Sequence, residues 1–423
     1  MKKWLSLIVL IALLAGLTAG ALVRAYAPEL AGPAGIIEAF GGLWLNALRM
    51  TVVPLVASLV ITGIASVTDT AKTGGLVLRA VILFTVLIFF SATLAVLATQ
   101  GWLALWPLDP AAAQAFVAGI GDQAVAIREP PTFASWLQGL APQNPVSAAA
   151  NDNILALVVF VIFFAFAVTQ LKPELRDPIV TFFRGVSEAM IVIVQWVLLA
   201  GPIGVFALAL GVGLHAGFSA AGVLAQYVLI VTGVLAGSTV IAWIIAVTWG
   251  GQPIGRFTTA ATPVWAIAAS TQSSLASLPA MLDAALRNLR IPGRVADVIL
   301  PLAVAVFRFT SPVGNLAVCF FVAHLYGIEP SLMQIIGAVF VAYAVSIAAV
   351  GLPGQVSFIA SIAPICIALG VPTEVLGILI AVEVIPDIFR TLGNVTGDLA
   401  ATSILARGQP REDSARSEVV DAA

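Results

Sequence analysis

Along most of this chain apolar residues do not alternate with polar ones; they run on. Apolar runs cover approximately 5–23, 36–66, 76–106, 147–171, 180–212, 220–249, 295–327 and 373–405. A helix rises about 1.5 Å per residue, so about 20 apolar residues cross a hydrocarbon core about 30 Å thick. Each run therefore predicts a spanning helix. Those longer than about 25 residues predict tilted helices or helices reaching beyond the bilayer. The first run follows Met1-Lys2-Lys3, lacks a clear small-residue cleavage site, and reads as a retained helix.

Two further segments, 257–290 and 333–367, are apolar but broken near their middles. The first break runs from Thr271 to Pro279 and is rich in serine. The second is Gly351-Leu352-Pro353-Gly354. Serine, glycine and proline favour a turn by hydroxyl–backbone bonding, free φ and fixed φ respectively. Irregular backbone survives in hydrocarbon only against protein or water. Each broken segment precedes a spanning run, and those runs share Phe307-Arg308-Phe309-Thr310 and Phe389-Arg390-Thr391. Paired interrupted segments in two halves point to a transporter binding site. The plainer alternative is two kinked structural helices.

Charge distribution sets the topology. Lys2, Lys3, Lys72, Arg79, Lys172, Arg176, Arg184, Arg256, Arg287, Arg290, Arg294, Arg407, Arg411 and Arg416 share one side if there are eight spans and both broken segments re-enter. Arg24 and Arg128 then stand alone opposite, so both termini face the cytoplasm. Charged residues make up only 9% of the 423 and hydrophobic ones 61%, which excludes a soluble enzyme. The net charge of −2 argues against a nucleic-acid partner. Cys319, Cys366, His215 and His324 form no metal or disulfide pattern and read as packing residues. Trp4, Trp44, Trp102, Trp106 and Trp136 suit an interfacial belt. Arg49 is expected to reach a headgroup or to pair locally.

The last run carries Glu383, Asp387, Arg390, Asn394 and Asp398. A charge at the bilayer centre costs about 2.5–3.5 kcal/mol on insertion scales, so these groups need partners or water. Asp387, Arg390, Thr391, Asn394 and Asp398 share one helical stripe. Asp387 and Arg390 could simply neutralise each other. In a functional reading Arg390 forks onto a solute carboxylate. Asp387 then faces an ammonium, and Asp398 with Asn394 offers hard oxygens to a small cation.

Residues 387–398, Asp-Ile-Phe-Arg-Thr-Leu-Gly-Asn-Val-Thr-Gly-Asp, closely resemble the last-helix signature of the dicarboxylate/amino acid:cation symporters, the glutamate transporter family. Ser273–Ser277, Gly351–Gly354, Gly201–Ala207, Asn144-Pro145 and Met50…Pro54 also match. The resemblance implies an all-α membrane protein of eight spans plus two re-entrant hairpins. It implies an inverted-repeat, homotrimeric carrier of elevator type. Its scaffold spans 1–2 fall in 1–75 and its third span in 76–106. The fourth to sixth spans and an extracytoplasmic excursion occupy 107–250, the transport core 251–406, and a cytoplasmic tail 407–423. By resemblance Arg390 binds a side-chain carboxylate, Asp387 an α-ammonium, and Thr391, Asn394 and Ser311 line the substrate. Ser273 and Ser274 receive the α-carboxylate, residues Gly351, Leu352, Pro353 and Gly354 form the gate, and Asn394 and Asp398 are cation ligands.

Departures from the family pattern bear on the ion. The seventh-span Asn-Met-Asp-Gly-Thr becomes Phe307-Arg308-Phe309-Thr310-Ser311, and third-span hydroxyls become Leu87 and Ile88. The arginine of the hairpin tip becomes Gln272. Arg308 either replaces a cation, binds substrate carboxylate, or pairs structurally. The resulting expectation is an inner-membrane secondary transporter for an acidic amino acid or C4-dicarboxylate, with no cofactor. The coupling ion is left open between sodium and a proton, and an anion channel or uncoupled exchanger is the alternative.

Overall fold

The computed structural model describes residues 2–71, 75–120, 137–151, 153–217, 219–348 and 354–407. Among these the ordered elements are helical. The chain opens with α1 (Lys2–Tyr26), α2 (Ala31–Arg49), α3 (Val52–Ala71) and α4 (Gly75–Leu105). Short α5 (Pro110–Ala118) and α6 (Pro145–Ala150) lead to α7 (Ile154–Thr169), α8 (Pro173–Leu199), α9 (Gly201–Ala216) and α10 (Ser219–Thr248). The rest comprises α11 (Ile254–Thr271), α12 (Ser274–Asp283), α13 (Gly293–Val306), α14 (Ser311–Leu325), α15 (Leu332–Ala348), α16 (Gly354–Leu369), the single turn α17 (Leu376–Leu379) and α18 (Val384–Ala406).

Among the described residues six helical stretches are long and apolar enough to cross a membrane: Leu7–Tyr26, Gly35–Ala65, Gly75–Leu105, Pro173–Leu199, Ser219–Thr248 and Gly293–Leu325. Large apolar side chains such as Ile11, Leu14, Ile82, Phe163 and Trp196 stand exposed on these and neighbouring helices, where lipid rather than water would cover them. This is a multi-pass membrane protein. The more polar α18 lies inside the protein, with Asp387, Arg390, Asn394 and Asp398 all buried.

Several long runs that the sequence presents as continuous are broken. The run 36–66 breaks at Met50–Thr51, where α2 passes into α3. The run 147–171 breaks between Ala150 and Ile154, and 180–212 breaks at Ala200, where Pro202 opens α9. The run 295–327 breaks between Val306 and Ser311, with Pro312 in the first turn of α14. Proline lacks the N–H that a continuing helix would use, and its ring clashes with the preceding turn. Hydropathy does not register such a break, because the flanking residues are equally apolar.

Each interrupted segment is a pair of helices packed against one another. At the first, Gln272 adopts a left-handed conformation (φ 52°), Ser273 turns extended, and α12 packs back along α11. The second pair, α15 and α16, likewise packs side by side. Its tip, including Gly351, Leu352 and Pro353, lies outside the described residues, as do Arg128, Trp136 and the tail beyond Arg407.

One expectation needs correction: Trp44 does not face outward as a belt residue would, but is buried against Gly204, and its Nε1 donates to the Val197 carbonyl at 2.8 Å. Arg49 does pair, with a partner far away in sequence. Its Nη2 lies 2.5 Å from both the Glu374 carboxylate and the Thr373 hydroxyl, tying the α2–α3 corner to the approach to α18.

Glycines make the close crossing of α1 and α9. Gly16 and Gly20, four apart on α1, meet α9 at Phe206–Leu210 and at Leu210–Leu214 respectively, Gly20 lying against Gly213, and a methyl built at Gly20 would fall 2.2 Å from the Leu210 carbonyl oxygen. Small residues four apart let backbones approach in membranes, where dispersion replaces the hydrophobic drive. Because the obstacle is main chain, Gly20→Val should lower the thermal midpoint in detergent by an overpacking cost of about 1–3 kcal/mol. Gly35→Val, at a glycine with nothing within 4 Å, is the control and should change it little.

Candidate functional site

The buried polar residues gather where α18 passes the break between α13 and α14. Four residues, Phe307 to Thr310, leave the helix there, with Phe307 extended at φ −100° and ψ 96°. The break needs close approach, and α18 permits it with two glycines. A Cβ at Gly393 would sit 2.3 Å from Thr310 Cγ2, and one at Gly397 would sit 2.8 Å from Phe309 Cβ. The unwound backbone is satisfied from α18. Asn394 Oδ1 accepts from the Thr310 N–H at 2.9 Å, and the Thr310 hydroxyl lies 2.9 Å from the same oxygen and 2.5 Å from the Arg390 carbonyl. The amide oxygen of Asn394 is thus occupied in holding the break closed.

Arg390 is buried, and its neutralising partner is not Asp387. Its Nη2 donates to Glu383 Oε1 at 2.6 Å, while Tyr227 on α10 donates its hydroxyl to Glu383 Oε2 at 2.9 Å. Both oxygens of Glu383 are thereby engaged inside the protein. The Arg390 Nε, by contrast, has no hydrogen-bond partner among the described residues. The guanidinium lies against Gly314 of α14, where a Cβ would stand 2.8 Å from Nη2 and 3.0 Å from Nε. Sequence reading named Glu383 without this role and missed Tyr227 and Gly314. The seven-residue spacing from Glu383 to Arg390 was a usable signal, since it equals about two helical turns.

The other expected residues fall as follows. Asp387 is buried one turn before Thr391, whose hydroxyl donates to the Asp387 carbonyl at 2.9 Å. Arg308, on the unwound bridge, acts electrostatically on Asp387, Arg390 and Asp398. Ser311 is buried at the start of α14. At the first hairpin tip the Ser273 Oγ caps the Ala276 N–H at 3.3 Å and Ser274 is buried. Gln272 Nε2 reaches the Val384 carbonyl at 3.3 Å, and the Trp265 indole donates to Thr396 Oγ1 at 2.9 Å, so α11 is tied to both ends of the polar stripe. Gly354 opens α16.

Asp398 differs from all of these. It is fully buried, and neither carboxylate oxygen has a hydrogen-bond partner among the described residues. Phe307 and Phe309 abut the neighbouring Gly397, and Phe307 stacks on Phe84 with ring centroids 4.6 Å apart. Leu87 and Ile88 are buried in the same apolar cluster. No group of three or more His, Cys, Asp or Glu among the described residues could hold a metal ion.

A buried arginine with a spare donor thus stands where one helix unwinds against another. Comparison with known proteins gives the class. Residues 5–408 match the model of the sodium:dicarboxylate symporter family, and the chain belongs to that family, whose members are transporters and not enzymes. It is 27% identical to the proton/glutamate-aspartate symporter of Escherichia coli over 89% of this chain and 86% of the relative. It is 25% identical to the proton/sodium-glutamate symport protein of Bacillus caldotenax over 92% of each. It is 28% identical to the human neutral amino acid transporter B(0) over 98% of this chain and 82% of the relative.

The Arg390–Glu383 pair should be costly to break from one side. Glu383→Gln leaves the guanidinium uncompensated and should cost about 3–5 kcal/mol of stability, measured as a lowered melting temperature in detergent. Gly314→Ala should push the guanidinium off its seat and lower the thermal midpoint in detergent by an overpacking cost of about 1–3 kcal/mol.

Proposed function

We propose that this chain is a secondary symporter for an acidic amino acid such as aspartate or glutamate, working in a bacterial-type inner membrane. The observation that carries the reading is the Arg390 guanidinium, buried, placed by Gly314 and left with an unused Nε donor. Arg–carboxylate recognition is bidentate, and a guanidinium with one arm on an internal carboxylate has a place for an incoming one. Glu383, steadied by Tyr227, holds the charge neutral while no cargo is bound. A solute carboxylate then engages Arg390, and Asp387, one helical turn away, receives the ammonium. Thr391, Asn394 and Ser311 complete the lining, and Ser273 and Ser274 at the first tip take the second carboxylate.

The finer architecture follows the same reading. Eight spans and two re-entrant hairpins place both termini in the cytoplasm. The core 251–406 with the spans at 76–106 and 220–249 moves as an elevator against the remaining helices, which trimerise. Residues Gly351 to Gly354 form the outer gate. The names of the bacterial relatives allow either a proton or sodium as coupling ion. The apolar surroundings of Asp398 favour the proton. A C4-dicarboxylate is the second reading, favoured because Arg308 also acts on Asp387 and would leave less negative charge for an ammonium.

Counterflow in proteoliposomes tests the reading. Labelled aspartate should accumulate transiently against unlabelled internal aspartate; flux without accumulation would indicate a channel. Arg390→Ala removes one partner of a buried charged contact, so solute affinity should fall by about 2–5 kcal/mol, roughly 30-fold or more. Asp387→Asn should abolish aspartate uptake while sparing succinate. Equal loss of both would remove the assigned role of Asp387.

A further inference from the structure

Glu383 stands at the N-terminal edge of α18, only 1% exposed. Its Oε1 accepts from Arg390 Nη2 at 2.6 Å, and its Oε2 accepts from the Tyr227 hydroxyl at 2.9 Å. The charged and titratable groups that face it are Arg390 and Asp387 from α18 and Tyr227 from α10. Arg308, from the break before α14, and Cys319, from α14, act on those neighbours. Tyr227 is itself fully buried, so this carboxylate is separated from water on the side away from the arginine.

Without cargo, the charges of Arg390 and Glu383 cancel each other. A cargo carboxylate that takes the unused Nε of the same guanidinium changes that count. Two carboxylates then share one positive charge in a buried site. Like charges so placed cannot both stay ionised, and the pair takes up a proton. We propose that Glu383 receives it, so that each acidic amino acid crosses the membrane with one proton carried on this side chain. The transfer balances simply: the Glu383 carboxylate and a proton from the medium become a carboxylic acid as cargo binds, and the proton leaves when cargo does. Tyr227 suits both forms. A phenol hydroxyl donates and accepts, so the group that donates to the carboxylate can accept from the acid, and neither form is left without a partner. Asp387 is a poorer carrier, because the cargo ammonium compensates its charge in the loaded state. Asp398 lies about two helical turns beyond Arg390 and has no hydrogen-bond partner on either oxygen among the described residues. A proton there would not relieve the crowding at the guanidinium. The assignment rests on the symporter reading and gives its coupling proton a residue.

The test uses the full-length chain in weakly buffered detergent solution, with proton uptake and aspartate affinity measured together over a range of pH. The wild type should take up about one proton per aspartate bound, and its affinity should fall about tenfold per pH unit on the alkaline side. Glu383→Gln, uncharged at every pH, should bind aspartate without proton uptake and with an affinity that no longer varies with pH. Should that variant fail to accumulate, Tyr227→Phe takes its place: the hydroxyl touches Glu383, so its loss should displace the pH at which affinity begins to fall. A Tyr227→Phe profile superimposable on that of the wild type overturns the assignment. Aspartate binding to the wild type with no proton uptake also overturns it, while leaving the cargo reading intact. Uptake that persists in Glu383→Gln but disappears in Asp398→Asn moves the proton to Asp398 and equally overturns it. If aspartate, glutamate and succinate all fail to bind at any pH, the symporter reading falls and the role of Glu383 falls with it.

Discussion

Compensation of charge inside an apolar protein is the constraint from which this structure follows. Leaving a guanidinium or carboxylate uncompensated away from water costs several kcal/mol. Arg390 is therefore not merely present in α18 but held, by Glu383 at 2.6 Å, with Tyr227 taking the second carboxylate oxygen. That arrangement satisfies the acid more fully than the base. The acid has both oxygens engaged, whereas Nε of the base has none of the described residues to donate to. The imbalance gives an otherwise structural ion pair its capacity to accept a visitor.

Positions with no side chain decide where those charges sit. Gly314 provides the seat for the guanidinium, and Gly393 and Gly397 bring the unwound Phe307–Thr310 segment against α18. The helix break is then stitched by Asn394, whose oxygen serves a main-chain N–H that has lost its helical partner. Polar and small residues on α18 thus work together. The small ones admit the neighbouring backbone, and the polar ones satisfy it. Neither set would suffice in hydrocarbon, where open backbone without partners is excluded.

Much of this was legible beforehand. The apolar runs located the helices, the serine-rich and Gly-Leu-Pro-Gly interruptions located two pairs of packed helices, and the charges of α18 located the polar stripe. What escaped was everything that depends on contacts between distant parts of the chain. Hydropathy could not mark the break at Ala200, because both flanks are equally apolar. Nothing in the order of residues announces that Tyr227 will meet Glu383 across 156 positions, or that Arg49 will reach Thr373 across 324. Trp44 looked like an interfacial tryptophan from its place near a run's end, but Gly204 opens a slot that draws the ring inward. The partner of Arg390 was misjudged for a subtler reason. Asp387 and Glu383 both share its helical face, and only the packing of α10 and α14 selects between them.

The two cysteines, unremarkable in the sequence, turn out to be neighbours. Cys319 on α14 and Cys366 on α16 are both fully enclosed, with Sγ atoms 3.2 Å apart. Spectroscopic labelling of this protein therefore begins from a favourable background. Maleimide reagents reach native thiols only where they are accessible, so a reporter cysteine introduced on the outer surface of the folded protein would react alone. Deleting the native pair to obtain a thiol-free version is the worse course, since it would hollow out a shared volume between the helix carrying the arginine's seat and α16.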